Sequence, residues 1–236
     1  VIQGGKGEGR PEELIEAVPG LNSVWRQEPS GRVRHLAGEV ALVIDWLHHR
    51  LVVEGGVFLQ VNTEGGKELH RFLLERAGDV QGNTIVDAYC GVGVLGREWA
   101  NRGAEVVGIE ADAQAVEAAA REAPADFVVF EGRVEEFLPR HLPADLLLLN
   151  PPRTGLDPAI PPLVVQAPPE RIFYVSCDPA TLARDLGRLE ISHQLTDLRS
   201  FDLFPQTSHV ESVAVLARRD GTSPPGDAAV ATTENG

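Results

Sequence analysis

A regular alternation of apolar, strand-like runs with helical stretches is the feature that most constrains the fold of this chain. It begins near residue 63. Strands that alternate with helices form a parallel sheet with helices on both faces, because each crossover between parallel strands needs a helix-length connection. The predicted strands are 84–88, 105–110, 127–130, 145–149 and 171–176, and the predicted helices are 64–77, 96–102, 113–122, 134–138 and 180–189.

Two more strands are predicted near the end of this region, over residues 194–198 and 210–216. No helical pattern separates them, so we expect an antiparallel pair at the sheet edge. The sequence therefore predicts an α/β fold, a doubly wound Rossmann-like sheet that is mostly parallel with an antiparallel edge.

The segments that flank the alternating region are predicted to be less regular. Residues 1–57 read as a partly ordered lead-in with a small helix and several strands, whose glycine-rich residues 1–10 are expected to be disordered. Residues 58–216 form the main domain. Residues 217–236 are rich in Pro, Gly and Thr without periodicity, which predicts a disordered tail.

Composition and charge limit the classes of function. The 236 residues carry a net charge of -14, which argues against a general nucleic-acid-binding surface, because phosphate contacts need Lys and Arg. No apolar run is long enough to span a bilayer, so no membrane association is expected. Two cysteines in separate motifs, and histidines without ligand spacing, predict no metal, reduced thiols and a cytoplasmic location.

A glycine-rich loop follows the first strand of the alternating region. Gly91, Gly93 and Gly96 precede or open a helix, with a spacing that lets backbone approach a ligand closely. Glu110, at the end of the next strand, can accept hydrogen bonds from two ribose hydroxyls. Together they predict an adenosine-containing cofactor without separating NAD from S-adenosylmethionine. A tight turn beside a solvated Glu would leave the same pattern.

A second motif, beginning Asn150-Pro151-Pro152, comes directly after the fourth strand. The two prolines fix the backbone and hold the Asn150 amide at the mouth of the crevice. This arrangement looks like the substrate-side motif of S-adenosylmethionine-dependent methyltransferases and has no use in a dehydrogenase. The alternative interpretation is a rigid, proline-rich loop.

Cys177 is predicted to lie on a strand-to-helix turn, because strand 171–176 is followed by Asp178-Pro179 and then by a helical stretch. Oriented N–H groups at a helix start favour the thiolate, the nucleophilic form of cysteine. The alternative is a small buried hydrophobic residue, which cysteine often is.

Five segments in order resemble the RNA uracil-5-methyltransferases, which make 5-methyluridine in tRNA and 23S rRNA. They are residues 58–62, 87–93, 150–156, 174–185 and 201–211. Each match alone is moderately specific, and the ordered set is highly specific. The resemblance implies an S-adenosylmethionine-dependent methyltransferase domain with a tRNA or 23S rRNA substrate.

The resemblance also implies roles for individual residues. Cys177 resembles the nucleophile that adds to carbon 6 of uracil, which turns carbon 5 into an enolate carbon able to take a methyl group. Glu211 occupies the position of the base that removes the carbon 5 proton, and its place at the start of an apolar strand should raise its pKa. His209 is expected to be structural. The implied S-adenosylmethionine contacts are Gln60, Tyr89, Glu110 and Asn150, to which the glycine-rich loop adds Gly91 and Gly93.

The chain departs from the family pattern at several positions. The family usually has Asp where this chain has Asn150 and Asn where it has Asp178. Losing a carboxylate at 150 removes a negative charge near the cationic sulfonium. Val94 and Arg133 stand at two further cofactor positions that are often Asn. The resemblance does not extend to the family's N-terminal RNA-binding barrel. Because the chain has no Met and starts at Val1, we expect a fragment or a processed form, and the acidic charge leads us to expect the basic surface in a module upstream.

Two other functions remain open on the sequence. The Asn150-Pro151-Pro152 motif is also typical of amino-methyltransferases that act on adenine or glutamine nitrogen, although those enzymes usually have an aromatic residue where this chain has Arg153. The substitutions and the acidic charge would also suit a non-catalytic, cofactor-binding module of RNA maturation.

Overall fold

The computed structural model describes residues 2–3, 9–29, 33–55, 62–121, 123–207 and 210–219. Its N-terminal elements are short. They are β1 (Ile2–Gln3), α1 (Pro11–Ala17), β2 (Ser23–Gln27), β3 (Val33–Gly38), β4 (Ala41–Trp46) and β5 (His49–Glu54).

The main part of the chain alternates helices and strands. Its first elements are α2 (Thr63–Ala77), β6 (Thr84–Ala88), α3 (Val94–Asn101), β7 (Glu105–Glu110), α4 (Ala113–Ala120), β8 (Phe127–Glu131) and α5 (Val134–Phe137). A 3₁₀ turn, Leu138–Arg140, follows α5. The later elements are β9 (Leu146–Leu149), α6 (Ile160–Gln166), β10 (Arg171–Ser176), α7 (Pro179–Leu189), β11 (His193–Phe201) and β12 (Glu211–Arg218).

A seven-stranded sheet with the order β11-β12-β10-β9-β6-β7-β8 forms the centre of the molecule. The five strands from β8 to β10 are parallel to their neighbours, whereas β12 is antiparallel to both β10 and β11. This order confirms the predicted fold class, including its antiparallel edge.

Burial on both faces of the central strands explains why they read as continuous apolar runs. Strand β9 shows the pattern, because Leu146 and Leu148 pack in one core and Leu147 and Leu149 in the other. The first core includes residues of α2 and α3, and the second includes residues of α6 and α7. Helices therefore cover both faces of the sheet, and the ends of the strands stay accessible.

Helix boundaries differ from the predictions where glycine or proline act locally. Helix α3 begins at Val94, not at Gly96, because Gly93 precedes it in the left-handed conformation with φ +71. Helix α6 was not among the helices predicted from the sequence, because its segment contains Pro161 and Pro162. Its prolines lie in the first turn, where the missing N–H has no intrahelical acceptor to lose.

The expected disorder at the chain ends is wrong at two places. Strand β1 pairs in parallel with β2, so Ile2–Gln3 is ordered backbone. Strand β12 continues through Arg218, past the expected start of the tail at residue 217. Residues 1, 4–8 and 220–236 lie outside the described residues, as does the expected boundary between residues 57 and 58.

The β4–β5 hairpin connects the N-terminal part to the main sheet. Trp46, Leu51 and Val53 of the hairpin pack against Val92 and Val94 at the start of α3. The Trp46 indole Nε1 also donates a hydrogen bond to His70 Nδ1 of α2 over 3.0 Å. The lead-in therefore supports the back of the glycine-rich loop.

Two kinds of feature are absent from the described residues. No helix in these ranges is both long enough and apolar enough to cross a membrane. Within the same ranges, no group of three or more His, Cys, Asp or Glu side chains has an arrangement able to hold a metal ion.

Candidate active site

The carboxyl ends of β6 to β10 meet at one edge of the sheet, because these strands run in the same direction. Strand β12 runs the other way and brings its amino end to this edge. The predicted site residues that the structure describes are all here, at strand ends or in the loops that follow. They are Tyr89, Gly91, Gly93, Glu110, Asn150, Cys177 and Glu211. Gln60 and His209 lie outside the described residues.

Glu110 is held by the loops on either side of it. Its Oε2 accepts a hydrogen bond from the Gly91 N–H over 3.0 Å, and its Oε1 accepts from the N–H groups of Ala111 and Asp112 over 2.8 and 2.9 Å. Two carboxylate oxygens offer about four acceptor positions, so capacity for a further donor remains. The structure thus fixes the carboxylate at the mouth of the glycine-rich loop.

The two predicted glycine contacts have different surroundings. Gly91 has φ +55 and nothing within 4 Å of the position that a Cβ would take. A Cβ on Gly93 would lie 2.6 Å from the Phe127 ring, so Gly93 serves the packing of α3 against β8. The expectation that both glycines allow close approach of a ligand therefore fits Gly91 better than Gly93.

A cavity of about 440 Å³ opens beside this loop. It lies between Tyr89, the residues that follow β7 and β8, and the loop that follows β9. The lining residues are Tyr89, Ala111, Gly132, Arg133, Val134, Glu135, Pro152, Thr154, Gly155, Leu156, Asp157, Pro158, Arg184 and Arg188. The cavity is adjacent to Glu110 through Ala111 and has room for a nucleoside.

Asp87 adds a buried carboxyl group beneath the loop, which the sequence analysis did not single out. It is 2% exposed, and burial together with the nearby Glu110 charge raises its pKa to about 7, against a hydrogen bond from the Gly96 backbone. Burial, with Asp87 and Glu110 beside it, also raises the pKa of the Cys90 thiol. The Asp87 carboxyl group and the Cys90 thiol therefore lie beneath the part of the carboxyl edge that carries the glycine-rich loop.

Asn150 follows β9 directly and is exposed. Its backbone N–H donates a hydrogen bond to the Ala88 carbonyl over 3.3 Å, and Leu149 pairs with both Ala88 and Tyr174. Asn150 therefore lies between the end of β6, which carries Tyr89, and the end of β10, which carries Cys177.

Cys177 lies on the predicted strand-to-helix turn, between the end of β10 at Ser176 and the start of α7 at Pro179. The Asp178 carboxylate accepts a hydrogen bond from the Thr181 N–H over 2.8 Å and caps α7. Asn and Asp are equally good at this position, so the departure from the family at residue 178 preserves the cap.

The β10–β12 register places Glu211 beside Cys177. Ser176 pairs with Ser212, and because the strands are antiparallel, the next position of this register joins Cys177, which follows Ser176, to Glu211, which precedes Ser212. Glu211 is 4% exposed, and burial raises its pKa to about 7, although the Arg153 charge lowers it. The expected desolvation of this carboxyl group is therefore present.

The expectation of a thiolate favoured by the helix start disagrees with the surroundings of Cys177. Burial and the charge of Glu211 raise the pKa of the half-buried Cys177 thiol, against a hydrogen bond and a favourable charge from Arg153. Arg153 was not among the predicted site residues. The sequence feature that could have indicated a role is its position directly after the Pro151-Pro152 pair. The sequence interpretation used that position only to note that the residue is not aromatic.

Asp185 is a second residue that the motif contained but to which no role was given. It is completely buried, and it accepts hydrogen bonds from the Leu156 N–H over 2.9 Å and from the Tyr174 hydroxyl over 2.8 Å. It therefore ties residues 150–156, which we call the target loop, to β10 and α7.

Comparison with known proteins agrees with this geometry. Residues 133–219 match the family described as tRNA (uracil-5-)-methyltransferase, and residues 48–160 match the methyltransferase small domain. The solved structure of the Pyrococcus abyssi tRNA (uracil-54, C5)-methyltransferase, in complex with S-adenosyl-L-homocysteine, superposes with a TM-score of 0.68 at 29% identity. The similarity covers 83% of this chain and 51% of that one. The fold is thus that of the S-adenosylmethionine-dependent methyltransferases.

Curated relatives of the chain are named as RNA methyltransferases. An uncharacterized RNA methyltransferase of Gloeobacter violaceus is 40% identical over 79% of this chain and 42% of its own length. One from Listeria innocua is 35% identical over 88% of this chain and 49% of its own length. The chain spans less than half the length of these relatives. These matches confirm the resemblance to the RNA uracil-5-methyltransferases that the ordered motifs indicated.

Proposed function

We propose that this protein transfers a methyl group from S-adenosylmethionine to carbon 5 of a uridine in tRNA or rRNA, through a covalent adduct with Cys177. The observation that carries the proposal is the pairing of a thiol with a buried carboxyl group. Cys177 and Glu211 lie side by side across the β10–β12 register, at the edge where ligands bind in this fold.

The residues on the cofactor side suit S-adenosylmethionine. Three backbone N–H groups orient the Glu110 carboxylate and leave capacity for a further donor. An acidic residue at this place in the fold hydrogen-bonds a ribose hydroxyl in nucleotide-binding sites. Tyr89 lines the adjoining cavity of about 440 Å³. Asn150 lies between the end of β6, which Tyr89 follows, and the end of β10, which Cys177 follows. When bound, S-adenosylmethionine supplies an electrophilic methyl group on a sulfonium.

Cys177 starts the reaction as a nucleophile. Its thiolate forms a bond to carbon 6 of uracil, and the electron pair of the carbon 5–carbon 6 double bond moves into an enolate that includes oxygen 4. Arg153 supports the thiolate, because its positive charge lowers the thiol pKa. Carbon 5 is then nucleophilic enough to take the methyl group.

Glu211 completes the reaction as a base. Its carboxylate removes the proton from the methylated carbon 5, the double bond between carbons 5 and 6 forms again, and the bond from carbon 6 to sulfur breaks to release Cys177 as thiolate. A base with a pKa of about 7 has the strength to take this proton near neutral pH. An ordinary exposed Glu would be a weaker base.

Trapping the covalent adduct tests this proposal. The protein at its full natural length is incubated with S-adenosylmethionine and RNA that contains 5-fluorouridine, where fluorine at carbon 5 prevents the proton removal that releases the enzyme. We expect a protein–RNA band that survives denaturing electrophoresis, and we expect Cys177→Ala to abolish it. Cys90→Ala serves as the matched thiol control and should still form the band.

Absence of the band with the unsubstituted protein contradicts the covalent mechanism. Methyl transfer by Cys177→Ala at the unsubstituted rate would indicate a target that needs no nucleophile, such as an exocyclic amino group. Binding of S-adenosylmethionine without transfer to any RNA tested would instead support a non-catalytic module.

A further inference from the structure

Asp185 receives hydrogen bonds from several different parts of the structure. Besides the Leu156 N–H and the Tyr174 hydroxyl on Oδ2, its Oδ1 accepts from Arg184 Nε over 3.0 Å and from Arg188 Nη1 over 3.1 Å. Burial alone would raise the pKa of this carboxyl group, but the hydrogen bonds from Arg184, Leu156 and Tyr174 lower it. Asp185 is therefore a buried anion whose donors fix its position.

Arg184 adds a direct connection to the target loop. Its Nη2 donates to the Thr154 carbonyl over 2.8 Å and to Asp185 Oδ2 over 3.1 Å, so one guanidinium joins the loop to the carboxylate. Arginine suits this position because its planar group presents several donors at once. The Arg184–Asp185 pair thus binds the target loop at both Thr154 and Leu156.

Gly155 lies between these two contacts and has no room for a side chain. A Cβ there would lie 2.3 Å from Arg184 Nη2 and 2.4 Å from Asp185 Oδ2, and the residue has φ +77. Both the space and the backbone conformation therefore require glycine. Glycine at position 155 therefore allows the target loop to lie directly against the Arg184–Asp185 pair.

The same helix that carries this pair begins just after Cys177. Helix α7 runs from Pro179 to Leu189, with its cap at Asp178, so the turn with the thiol and the anchor of the target loop belong to one rigid element. Arg153, which precedes Thr154, is exposed at the surface. A long, exposed side chain loses rotamer entropy when it is held near a partner. A backbone that is already fixed at Arg153 limits any further loss of entropy to the side chain.

We propose that the Arg184–Asp185 pair is a positioning device that holds the target loop against α7 and so keeps the Arg153 charge near Cys177. The inference rests on the proposed role of Cys177 as nucleophile. Arg184 and Asp185 act through Arg153 and do not themselves touch the reacting atoms.

The test measures the Cys177 thiol without RNA or cofactor. The rate of alkylation by iodoacetamide is followed against pH, and mass spectrometry reads the peptides of Cys177 and Cys90 separately. The charges that act on Cys177 are Glu211, which raises its pKa, and Arg153, which lowers it. Cys90 lies on the other side of the edge and provides a control within the same molecule.

Asp185→Asn is the most informative variant, because its direct charge effect and its positioning effect have opposite signs. Removing a negative charge would by itself lower the thiol pKa. Releasing the target loop moves the Arg153 charge away from Cys177, which raises the thiol pKa. We expect the apparent pKa of Cys177 to rise by about 0.5 to 1 unit, which slows alkylation at pH 7.5 roughly three- to tenfold.

Two further variants keep the proposal testable if Asp185→Asn does not fold. Gly155→Ala changes no charge and should raise the Cys177 pKa in the same way. Arg184→Lys can still pair with Asp185 but cannot bind the Thr154 carbonyl at the same time, so an intermediate rise is expected. Arg218→Ala removes a surface ion pair with Glu170 at the far end of β12 and should leave the profile unchanged.

A double-mutant comparison shows whether the effect passes through Arg153. Arg153→Ala should raise the Cys177 pKa at least as much as Gly155→Ala, and the two changes together should add nothing further. Full additivity, or an unchanged or lowered Cys177 pKa in folded Asp185→Asn and Gly155→Ala proteins, overturns the proposal. If the 5-fluorouridine adduct fails to form while these pKa changes occur, the proposed reaction is wrong and the positioning role stands.

Discussion

Two halves of the carboxyl edge are stabilised in different ways. In the cofactor half, residues 87–112, the Glu110 carboxylate is satisfied by backbone N–H groups of its own loops. In the target half, formed by residues 150–156, 176–178 and 211, the thiol and the carboxyl group of Cys177 and Glu211 are desolvated together, and Arg153 offers the compensating charge. The first half is a preformed binding geometry. The second keeps its reactive groups in an environment that disfavours their charged forms.

The two halves therefore contribute differently to stability and to reactivity. Satisfied hydrogen bonds fix a position and support stability, whereas a buried ionisable group lowers stability when it is charged and gains reactivity. Substitutions at Cys177 and Glu211 should therefore trade activity against stability, and a substitution at Glu110 should weaken cofactor binding alone.

Glu211→Gln should cause the largest loss of turnover. Without a base, the methylated adduct forms but releases slowly, so we expect a drop on the order of 10²- to 10⁴-fold in turnover and accumulation of covalent protein–RNA on ordinary uridine substrate. Multiple-turnover methylation and denaturing electrophoresis measure the two effects. Glu75→Gln, the same change at an exposed position of α2, is the control and should behave like the unsubstituted protein. Full turnover in Glu211→Gln would exclude it as the base.

The same variant should be more stable than the unsubstituted protein at high pH. The folded-state pKa of Glu211 is raised to about 7, so the carboxyl group favours folding while protonated and opposes it once charged. The difference in free energy of unfolding should be near zero at pH 4.5 and grow through pH 7, to about 2 to 3 kcal/mol at pH 8. Urea unfolding at these pH values measures it. A Glu211→Gln protein that is less stable at pH 8 would contradict the burial argument.

Glu110→Gln should affect cofactor binding without changing the thiol. Gln keeps the size but loses the charged hydrogen bonds to the Gly91, Ala111 and Asp112 N–H groups, so affinity for S-adenosylhomocysteine should fall about tenfold. Calorimetry measures the affinity, with Glu117→Gln on the exposed face of α4 as control. The alkylation profile of Cys177 should stay the same. A shifted profile would show that the two halves are electrostatically coupled.

Asn150→Asp, at the junction of the two halves, should have the smallest effect. A carboxylate there restores the family's usual residue and attracts the cationic sulfonium, which for an exposed group amounts to about 0.5 to 1 kcal/mol. We expect two- to fivefold tighter binding of S-adenosylmethionine. S-adenosylhomocysteine lacks the positive sulfur and is the matched ligand control. Equal tightening of both ligands would show that residue 150 does not lie near the sulfonium.

The two halves also differ in how far the sequence could predict them. The cofactor half follows from local patterns, since Gly91 and Glu110 stand at the ends of adjacent parallel strands and must meet. The partnership of Cys177 and Glu211 depends on the β10–β12 register, which no local pattern encodes, and only the resemblance to a known family indicated it.

The remaining surprises in the structure share a physical cause. The pKa of the Cys177 thiol is set by what surrounds it, and the charges of Glu211 and Arg153 come from distant parts of the chain. The helix start, which is local, predicted the opposite direction. The role of Asp185 likewise required knowing that the target loop returns to α7. For Gln60 and His209 the assigned roles stay predictions.

The position of β12 has a consequence for the order in which the protein becomes competent. Strand β12 is the last described strand in the chain, yet it lies between β10 and β11 within the sheet. Because a ribosome delivers the amino-terminal part first, a nascent chain can assemble the glycine-rich loop and the Cys177 turn before Glu211 has been synthesised. A thiol able to attack RNA but unable to release it would be a hazard. Until the final strand inserts, β10 lacks the neighbour that brings Glu211 to the turn, so completion of the sheet and acquisition of the proposed base are a single event.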